Sequence, residues 1–197
     1  MSWFEEINRQ FFIYLNAPAA VSPVMRACGV LVADWVIIII PLVLIYLYFL
    51  GQRPQRVAAV SSVLITLVAL ACGALIGWLY PHPRPFAIGL GHQLVAHTAD
   101  ASFPSDHGLV FFSIGLSLYA FSVRSWGLAI TLLGVLVGWS RISVGVHYPF
   151  DILGALLVSG AVVYVMQKGM AVTRLAAWII DTADQCQRRL LARRAGR

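Results

Sequence analysis

Long apolar stretches alternate along this chain with short polar segments. The stretches expected to cross a membrane cover approximately residues 30–50, 57–80, 105–123, 127–139 and 149–166. A helix of about 20 apolar residues is long enough to cross a hydrocarbon core of about 30 Å. We expect Pro41 to kink the first of these helices. The pattern predicts an all-α, polytopic membrane bundle of five helices, or of six if an amino-terminal helix re-enters the membrane.

Amphipathic segments flank this bundle at both ends of the chain. Residues 1–16 repeat aromatic and aliphatic side chains at helical spacing and predict a helix lying at the membrane interface. Residues 169–197 predict a basic amphipathic tail on the cytoplasmic membrane surface, whose apolar positions are Val172, Leu175, Ile179 and Ala183. We therefore expect one membrane-embedded domain over 1–197, with the helical bundle at 30–168.

One polar connection is much longer than the others. Residues 81–104 contain Pro81, Pro83, Pro85 and Pro104, which argue against a continuous helix. Because the segment is long and polar and follows a membrane span directly, it is the natural place for a substrate entrance.

Composition makes the membrane interpretation firm. The 197 residues are 60% hydrophobic and 11% charged, and the mean hydropathy is +0.82, which lies outside the range of ordinary soluble domains. A net charge of +6 could point to nucleic acid, but basic clusters beside membrane spans follow from topology and from anionic lipid. We expect contact with membrane lipids and none with nucleic acid, and the sequence leaves the oligomeric state open.

The basic residues also predict an orientation. Ten of the fourteen lysines and arginines fall on one side of the predicted spans, and the positive-inside rule makes that side cytoplasmic. The 81–104 connection and residues 140–150 then both face outward. All five histidines lie on that outer side: His82, His92, His97, His107 and His147. We expect a bacterial inner-membrane protein whose site faces the periplasm or cell exterior.

Three polar clusters converge on this outer face. Arg84 stands between two prolines, Ser105-Asp106-His107 opens a predicted helix, and Arg141 is followed by His147 and Asp151. Ionisable groups beside membrane spans are functional candidates because they are costly to place there. His147 and Asp151 are four residues apart, so one helical turn brings the carboxylate to the imidazole.

These parts suit phosphoryl transfer. We expect His147, oriented by Asp151, to attack phosphorus and form a phosphohistidine, with His107 as the general acid and then the base. Cations and N–H donors stabilise the transferring group, and the candidates are Arg84, Arg141, Ser105 and the backbone amides of Asp106 and His107. The chemistry calls for no metal and no cofactor.

The three clusters resemble the signature motifs of the type-2 phosphatidic acid phosphatase superfamily, which shares its pocket with vanadium haloperoxidases. The motifs are Arg84-Pro85, Pro104-Ser105-Asp106-His107, and Ser140-Arg141 with His147 and Asp151. Asp106 and the segment 97–103 resemble the bacterial undecaprenyl pyrophosphate phosphatases in particular. That resemblance implies hydrolysis of the C55 isoprenyl pyrophosphate to undecaprenyl phosphate, which regenerates the carrier lipid for cell-wall synthesis.

The chain departs from the superfamily pattern at one position. The pattern has a lysine seven residues before the first arginine, and Gly77 stands there in this sequence. His82 or His97 is a candidate for the missing donor.

Other interpretations stay open at this point. A transporter or lipid-binding protein would also carry ionisable groups in its spans, and a vanadate-dependent oxidase would use the same pocket. A zinc-binding site is a further interpretation of a histidine-rich region, although HExxH and paired cysteines are missing from the sequence. Among lipid phosphatases, phosphatidylglycerophosphate and lipid A 1-phosphate are alternative substrates. Asp34 either pairs with a polar group near the pocket or lies at the interface.

Overall fold

The computed structural model describes residues 3–195, and side chains up to residue 191. Within that part of the chain the structure is helical, with a single isolated β-bridge between Pro83 and Ala101, in agreement with the all-α expectation. The α-helices are α1 (Trp3–Leu15), α2 (Pro23–Val30), α3 (Ile39–Phe49), α4 (Arg53–Leu79), α5 (Asp106–Ala120), α6 (Arg124–Ser143), α7 (Pro149–Lys168) and α8 (Ala171–Ala195).

The first membrane span is longer and less regular than predicted. It runs over Pro23–Phe49, because Ser22 caps the helix and Pro23 is tolerated at its first position. Between α2 and α3 the helix passes through a π-turn at Leu31–Trp35 and a 3-10 turn at Val36–Ile38. The irregularity lies just before Pro41, as expected when a proline lacks an N–H and its ring crowds the preceding turn.

Four helices of the described chain are long and apolar enough to cross a membrane: Pro23–Phe49, α4, α6 and α7. The predicted third span corresponds to α5, whose 15 residues extend only about 22 Å. This short helix packs against α4, α6 and α7, so its neighbours enclose it. The five predicted helical segments are therefore present in the predicted order, and the third of them is short and central.

Close packing around α5 depends on small residues. A Cβ added at Gly115 would clash with Thr131 and the Gly127 carbonyl, and one added at Gly127 would clash with the Tyr119 backbone. The backbones of α5 and α6 therefore approach closely. Gly73 of α4 lies against Leu109 in the same way.

The antiparallel helices give the bundle two distinct ends. One end collects the carboxyl ends of α4 and α6 with the amino ends of α5 and α7, and it contains all three polar clusters. At the other end, Arg53 and Arg56 form ion pairs with Asp181 and Asp184 of α8.

One face of α8 is buried against the bundle. Val172, Ala176 and Ile180 are buried, whereas Leu175 is exposed. This face is covered because α8 packs on α4 and α7, and Val172 is the one predicted apolar position that belongs to it. The predicted role of the tail at the membrane surface stays a prediction.

Candidate active site

The start of α7 brings the predicted histidine and carboxylate together. His147 Nδ1 lies 3.2 Å from Asp151 Oδ2. The same oxygen accepts a hydrogen bond from the Tyr148 amide at 2.8 Å and one from the Ser102 hydroxyl. Since an ionised carboxylate can only accept, Nδ1 carries the ring proton and Nε2 is the free nitrogen.

Arg84 lies against the free nitrogen of His147. Its Nη1 is 3.1 Å from Nε2 and donates to the Val146 carbonyl at 3.0 Å. The side chain is only 2% exposed, and its Nε forms a 2.7 Å ion pair with Asp100. The segment before Arg84 is held extended by the bridge from Pro83 to Ala101. The guanidinium therefore reaches the place where a phosphoryl group on Nε2 would lie.

A tight turn after α6 presents the histidine. Gly145 has a φ of +87°, a left-handed conformation that favours glycine. A Cβ there would also clash with the His92 carbonyl. The turn leads directly from Arg141 at the end of α6 to His147, and this explains why the third motif needs a glycine between its charged residues.

Arg141 enters the site from α6 and is held by the irregular turn of the first span. Its Nη1 donates to Asp34 at 2.7 Å and to the Ala33 carbonyl at 3.4 Å. The Arg141 side chain is 2% exposed, and its Nε is buried without a partner among the described residues. A buried, unused N–H on a cation is suited to an anionic substrate. Of the two readings left open for Asp34, the structure supports pairing near the pocket.

The amino end of α5 forms another side of the site. Ser105 caps the helix, since its hydroxyl accepts from the Gly108 amide and its own amide donates to the Asp151 carbonyl at 3.2 Å. The amides of Asp106 and His107 begin the helix, where N–H groups have no intrahelical acceptor. His107 lies in the first turn of α5, at the same end of the bundle as Arg84, Arg141 and His147.

The two histidines considered as the missing donor, His82 and His97, lie in different surroundings. The His97 ring centroid lies 6.4 Å from that of His147, beside the site. His82 instead pairs with Glu5 at 3.2 Å and lines a separate cavity. At Gly77, an added Cβ would face Ala101 and the Phe103 carbonyl. The geometry therefore favours His97 over His82 as the replacement donor.

The buried environment keeps His147 neutral. Burial, followed by the positive charges of Arg84 and Arg141, lowers the pKa of His147 well below its ordinary value. A neutral imidazole with a free Nε2 is the form that can act as a nucleophile. For Asp100, burial opposes ionisation, but the hydrogen bond and charge of Arg84 outweigh it and lower the pKa of the carboxyl.

Sequence reasoning missed two residues of this cluster. Asp100 pairs with Arg84 and Ser102 donates to Asp151, although both lie in the polar connection between the first two motifs. Their signals were their position, since a segment that follows Arg84 and precedes Ser105 has to pass the site, and the resemblance noted for the segment 97–103 as a whole. Their partners could not be named from spacing, because the contacts join residues 16 and 49 positions apart.

Curated relatives match most of the chain. The Escherichia coli (strain K12) protein YbjG is 33% identical over 181 residues, covering 88% of this chain and 91% of that protein. "Undecaprenyl-diphosphatase BcrC" of Bacillus subtilis (strain 168) is 32% identical, covering 78% of this chain and 79% of the relative. A Bacillus licheniformis relative, also 32% identical, covering 78% of this chain and 76% of the relative, is named "Bacitracin transport permease protein BcrC".

Solved structures share the fold. The crystal structure of Aquifex aeolicus LpxE matches with a TM-score of 0.61 at 24% identity, covering 82% of this chain and 95% of that one. A Bacillus subtilis PAP2-type phosphatidylglycerolphosphate phosphatase matches with the same TM-score at 17% identity, covering 86% and 87%.

A family model described as "PAP2 superfamily" matches residues 58–174. This match covers more than half of the chain and contains all three polar clusters described above. Since the relatives agree over most of its length, this chain belongs to the PAP2 superfamily, as its motifs indicated.

Proposed function

We propose that this protein is an integral membrane lipid phosphatase that hydrolyses undecaprenyl pyrophosphate to undecaprenyl phosphate and phosphate. The observation that carries the proposal is the buried imidazole of His147, with Nδ1 on Asp151 and Nε2 beside Arg84. The name of the Bacillus subtilis relative supports the choice of substrate, because the two chains match over most of their lengths.

In the first step, Nε2 of His147 attacks the terminal phosphorus. The N–P bond forms while the bond from phosphorus to the bridging oxygen breaks, and the electron pair leaves with undecaprenyl phosphate. His107 donates a proton to that leaving oxygen. The negative charge of Asp151 balances the positive charge that develops on the imidazole as its lone pair is used.

In the second step, water attacks the phosphohistidine. His107, now neutral, accepts a proton from the water as the new O–P bond forms and the N–P bond breaks. This releases phosphate and restores His147 with a free Nε2. Arg84, Arg141 and the first amides of α5 hold the phosphoryl oxygens in both steps, where charge is spread over three equatorial atoms.

The proposal includes a location and an orientation. The protein would lie in the bacterial inner membrane with its active site facing outward and recycle the carrier lipid there. The support is the distribution of basic residues, since Arg53, Arg56 and Arg124 lie at the end of the bundle opposite the site. The aromatic residues of α1 on the same side as the site, including the exposed Trp3 and Phe11, suit a membrane interface.

Transport fits the structure less well. A transport pathway needs ionisable groups distributed along the spans. The buried charged residues of the described chain, Arg84, Arg141 and Asp151, all lie at one end, together with buried His147. The polar side chains deeper in the bundle are serine and threonine hydroxyls, and several of these bond to helix carbonyls.

The first test measures phosphate release from undecaprenyl pyrophosphate by the purified protein in detergent with EDTA present. We expect release by the native chain, loss of at least about a thousandfold for His147→Ala, and an acid-labile phosphoprotein in the native chain alone. Phosphatidylglycerophosphate and lipid A 1-phosphate serve as competing substrates. Faster turnover of either lipid would refute the assigned substrate, and equal release by the variant would refute the histidine mechanism.

A further inference from the structure

A small cavity with both polar and aromatic lining lies beside Asp151, and α1 forms one of its walls. Its volume is about 160 Å³, and its lining includes Glu5 of α1, Tyr80 at the end of α4, His82 of the polar connection, and Asp151 of α7. Arg84, Arg141, His107 and His147 do not line it. The cavity is therefore separate from the place where the phosphoryl group would lie, and the two are joined through the carboxylate.

Asp151 uses only one of its oxygens toward the phosphoryl side. The contacts from His147, Ser102 and the Tyr148 amide all go to Oδ2. Oδ1 has no such partner among the described residues, and Asp151 itself lines the cavity. A carboxylate has acceptor sites on both oxygens, so Oδ1 is the oxygen left to interact with groups that share this cavity.

Glu5 and His82 form an ordered pair in this cavity. Glu5 Oε2 lies 3.2 Å from His82 Nε2, and its other oxygen accepts from Arg9 at 2.8 Å. The His82 ring stacks on Tyr80 with an interplanar angle of 8° and packs on Tyr148 with ring centroids 5.0 Å apart. Contacts on the edge and the face of the ring fix its orientation.

The helix that carries Glu5 is docked onto the catalytic elements by further contacts. Asn8 is buried, and its side-chain oxygen accepts from the Phe150 amide at 3.0 Å, in the first turn of α7. Phe12 packs on Tyr148 with ring centroids 5.4 Å apart. These contacts hold α1 in register with α7, although α1 lies outside the residues that match the family model.

We propose that Glu5 and His82 are positioning residues that act on Asp151, so that the amino-terminal helix takes part in setting the reactivity of His147. Glu5 holds His82, and the His82 imidazole orients and electrostatically supports the Asp151 carboxylate from the side opposite Oδ2. The carboxylate stays aligned on Nδ1 as positive charge develops on the His147 ring. This inference rests on the phosphatase function proposed above.

The first measurement compares kcat and KM on undecaprenyl pyrophosphate for the native chain, His82→Ala and Glu5→Gln. We expect kcat to fall about tenfold in both variants with KM within about twofold, since these residues touch a partner of the reacting group and not the substrate. His92→Ala is the matched control, because His92 is an exposed histidine of the same connection whose backbone alone bonds to Asn16.

Chemical rescue distinguishes positioning from a loss of fold. Added imidazole can occupy the space left in His82→Ala, and we expect it to restore much of kcat. Rescue should fail in His82→Ala combined with Glu5→Gln, because the carboxylate that anchors the imidazole is lost. Unchanged kcat in both single variants, or a lowered kcat that imidazole does not restore, would overturn the proposal.

A measurement that needs no substrate tests this proposal independently of the proposed phosphatase function. The rate at which diethyl pyrocarbonate modifies His147, followed by mass spectrometry, reports the reactivity of the imidazole directly. We expect that rate to change several-fold in His82→Ala and Glu5→Gln and to stay native in His92→Ala. If the native protein releases no phosphate but the two variants still change the rate of His147 modification, the phosphatase function is refuted and the positioning role of Glu5 and His82 stands. If neither variant changes that rate, the positioning role is refuted.

Discussion

At the scale of single residues, the site is built from buried charges that each have a nearby opposite charge. Arg84 and Arg141 are almost fully buried, and each forms a 2.7 Å ion pair with an aspartate that is partly exposed. Burial of an unpaired cation is costly, so these carboxylates make the buried arginines tolerable. Arg141 also keeps an Nε without a partner among the described residues, and Arg84 lies against Nε2 of His147, so both are placed to hold a phosphoryl group.

Loss of the partner of Arg141 should therefore destabilise the fold. In Asp34→Asn, the side-chain shape is kept but the negative charge beside Arg141 is removed. We expect the free energy of unfolding to fall by about 1–3 kcal/mol, less than for a fully buried pair because Asp34 is 31% exposed. Thermal unfolding in detergent measures this as a lower melting temperature.

The matched control for that variant is Asp181→Asn, which removes the partner of Arg53. Both side chains of this pair are about half exposed, and exposed ion pairs contribute little. Equal melting temperatures for native protein and Asp34→Asn would contradict the structural role assigned to the Asp34–Arg141 pair.

At the scale of elements, the short helix α5 determines how closely the bundle packs. It carries His107 at its amino end and touches three neighbouring helices, so its position relative to α6 and α7 sets the geometry of the site. Gly115 allows the backbone of α6 to approach, and Gly108 lies against Ala155 of α7. A side chain at either glycine would separate helices that hold the residues proposed to be catalytic.

Gly115→Ala tests this packing. The added methyl group would clash with Thr131 and with backbone atoms of α6, which cannot move as a flexible side chain could. We expect a loss of about 1–3 kcal/mol in unfolding free energy, typical of overpacking, together with lower activity. Thermal unfolding and phosphate release measure the two effects.

Gly160→Ala in α7 is the control for this change. Its added Cβ would have Leu116 at 4.0 Å as its nearest contact, so there is room for the methyl group. Alanine is the better helix former by about 1 kcal/mol, and we expect stability to be unchanged or slightly increased. A Gly115→Ala protein as stable as Gly160→Ala would show that the close approach is not required.

At the scale of the whole molecule, the two ends of the bundle differ in charge and in chemistry. The site end holds the histidines, and the opposite end holds Arg53, Arg56 and Arg124 with the pairs to α8. Basic residues are retained on the cytoplasmic side during insertion. This asymmetry predicts the outward orientation proposed for the active site.

Cysteine labelling checks the orientation. In a variant whose three native cysteines are serine, we expect Gln93→Cys to react with a membrane-impermeant maleimide in intact spheroplasts. Ser125→Cys should react only after permeabilisation, because it lies in the first turn of α6 at the opposite end. Both positions are exposed in the structure. The reverse labelling pattern would contradict the assigned topology.

The sequence by itself determined the helical membrane class, the order of the crossings and the three clusters. Hydrophobic length and local spacing carry that information, because a span needs about 20 apolar residues and one helical turn joins positions four apart. The His147–Asp151 contact was therefore predictable. The family likewise followed from local motifs.

The tertiary structure decided which distant residues meet. Asp34 reaches Arg141 across 107 positions, and Glu5 reaches His82 across 77. It also decided that His97 and not His82 lies beside His147, and that α8 packs one of its faces on α4 and α7. Local periodicity cannot encode such pairings, because they depend on how whole helices pack and on which buried charges need a partner.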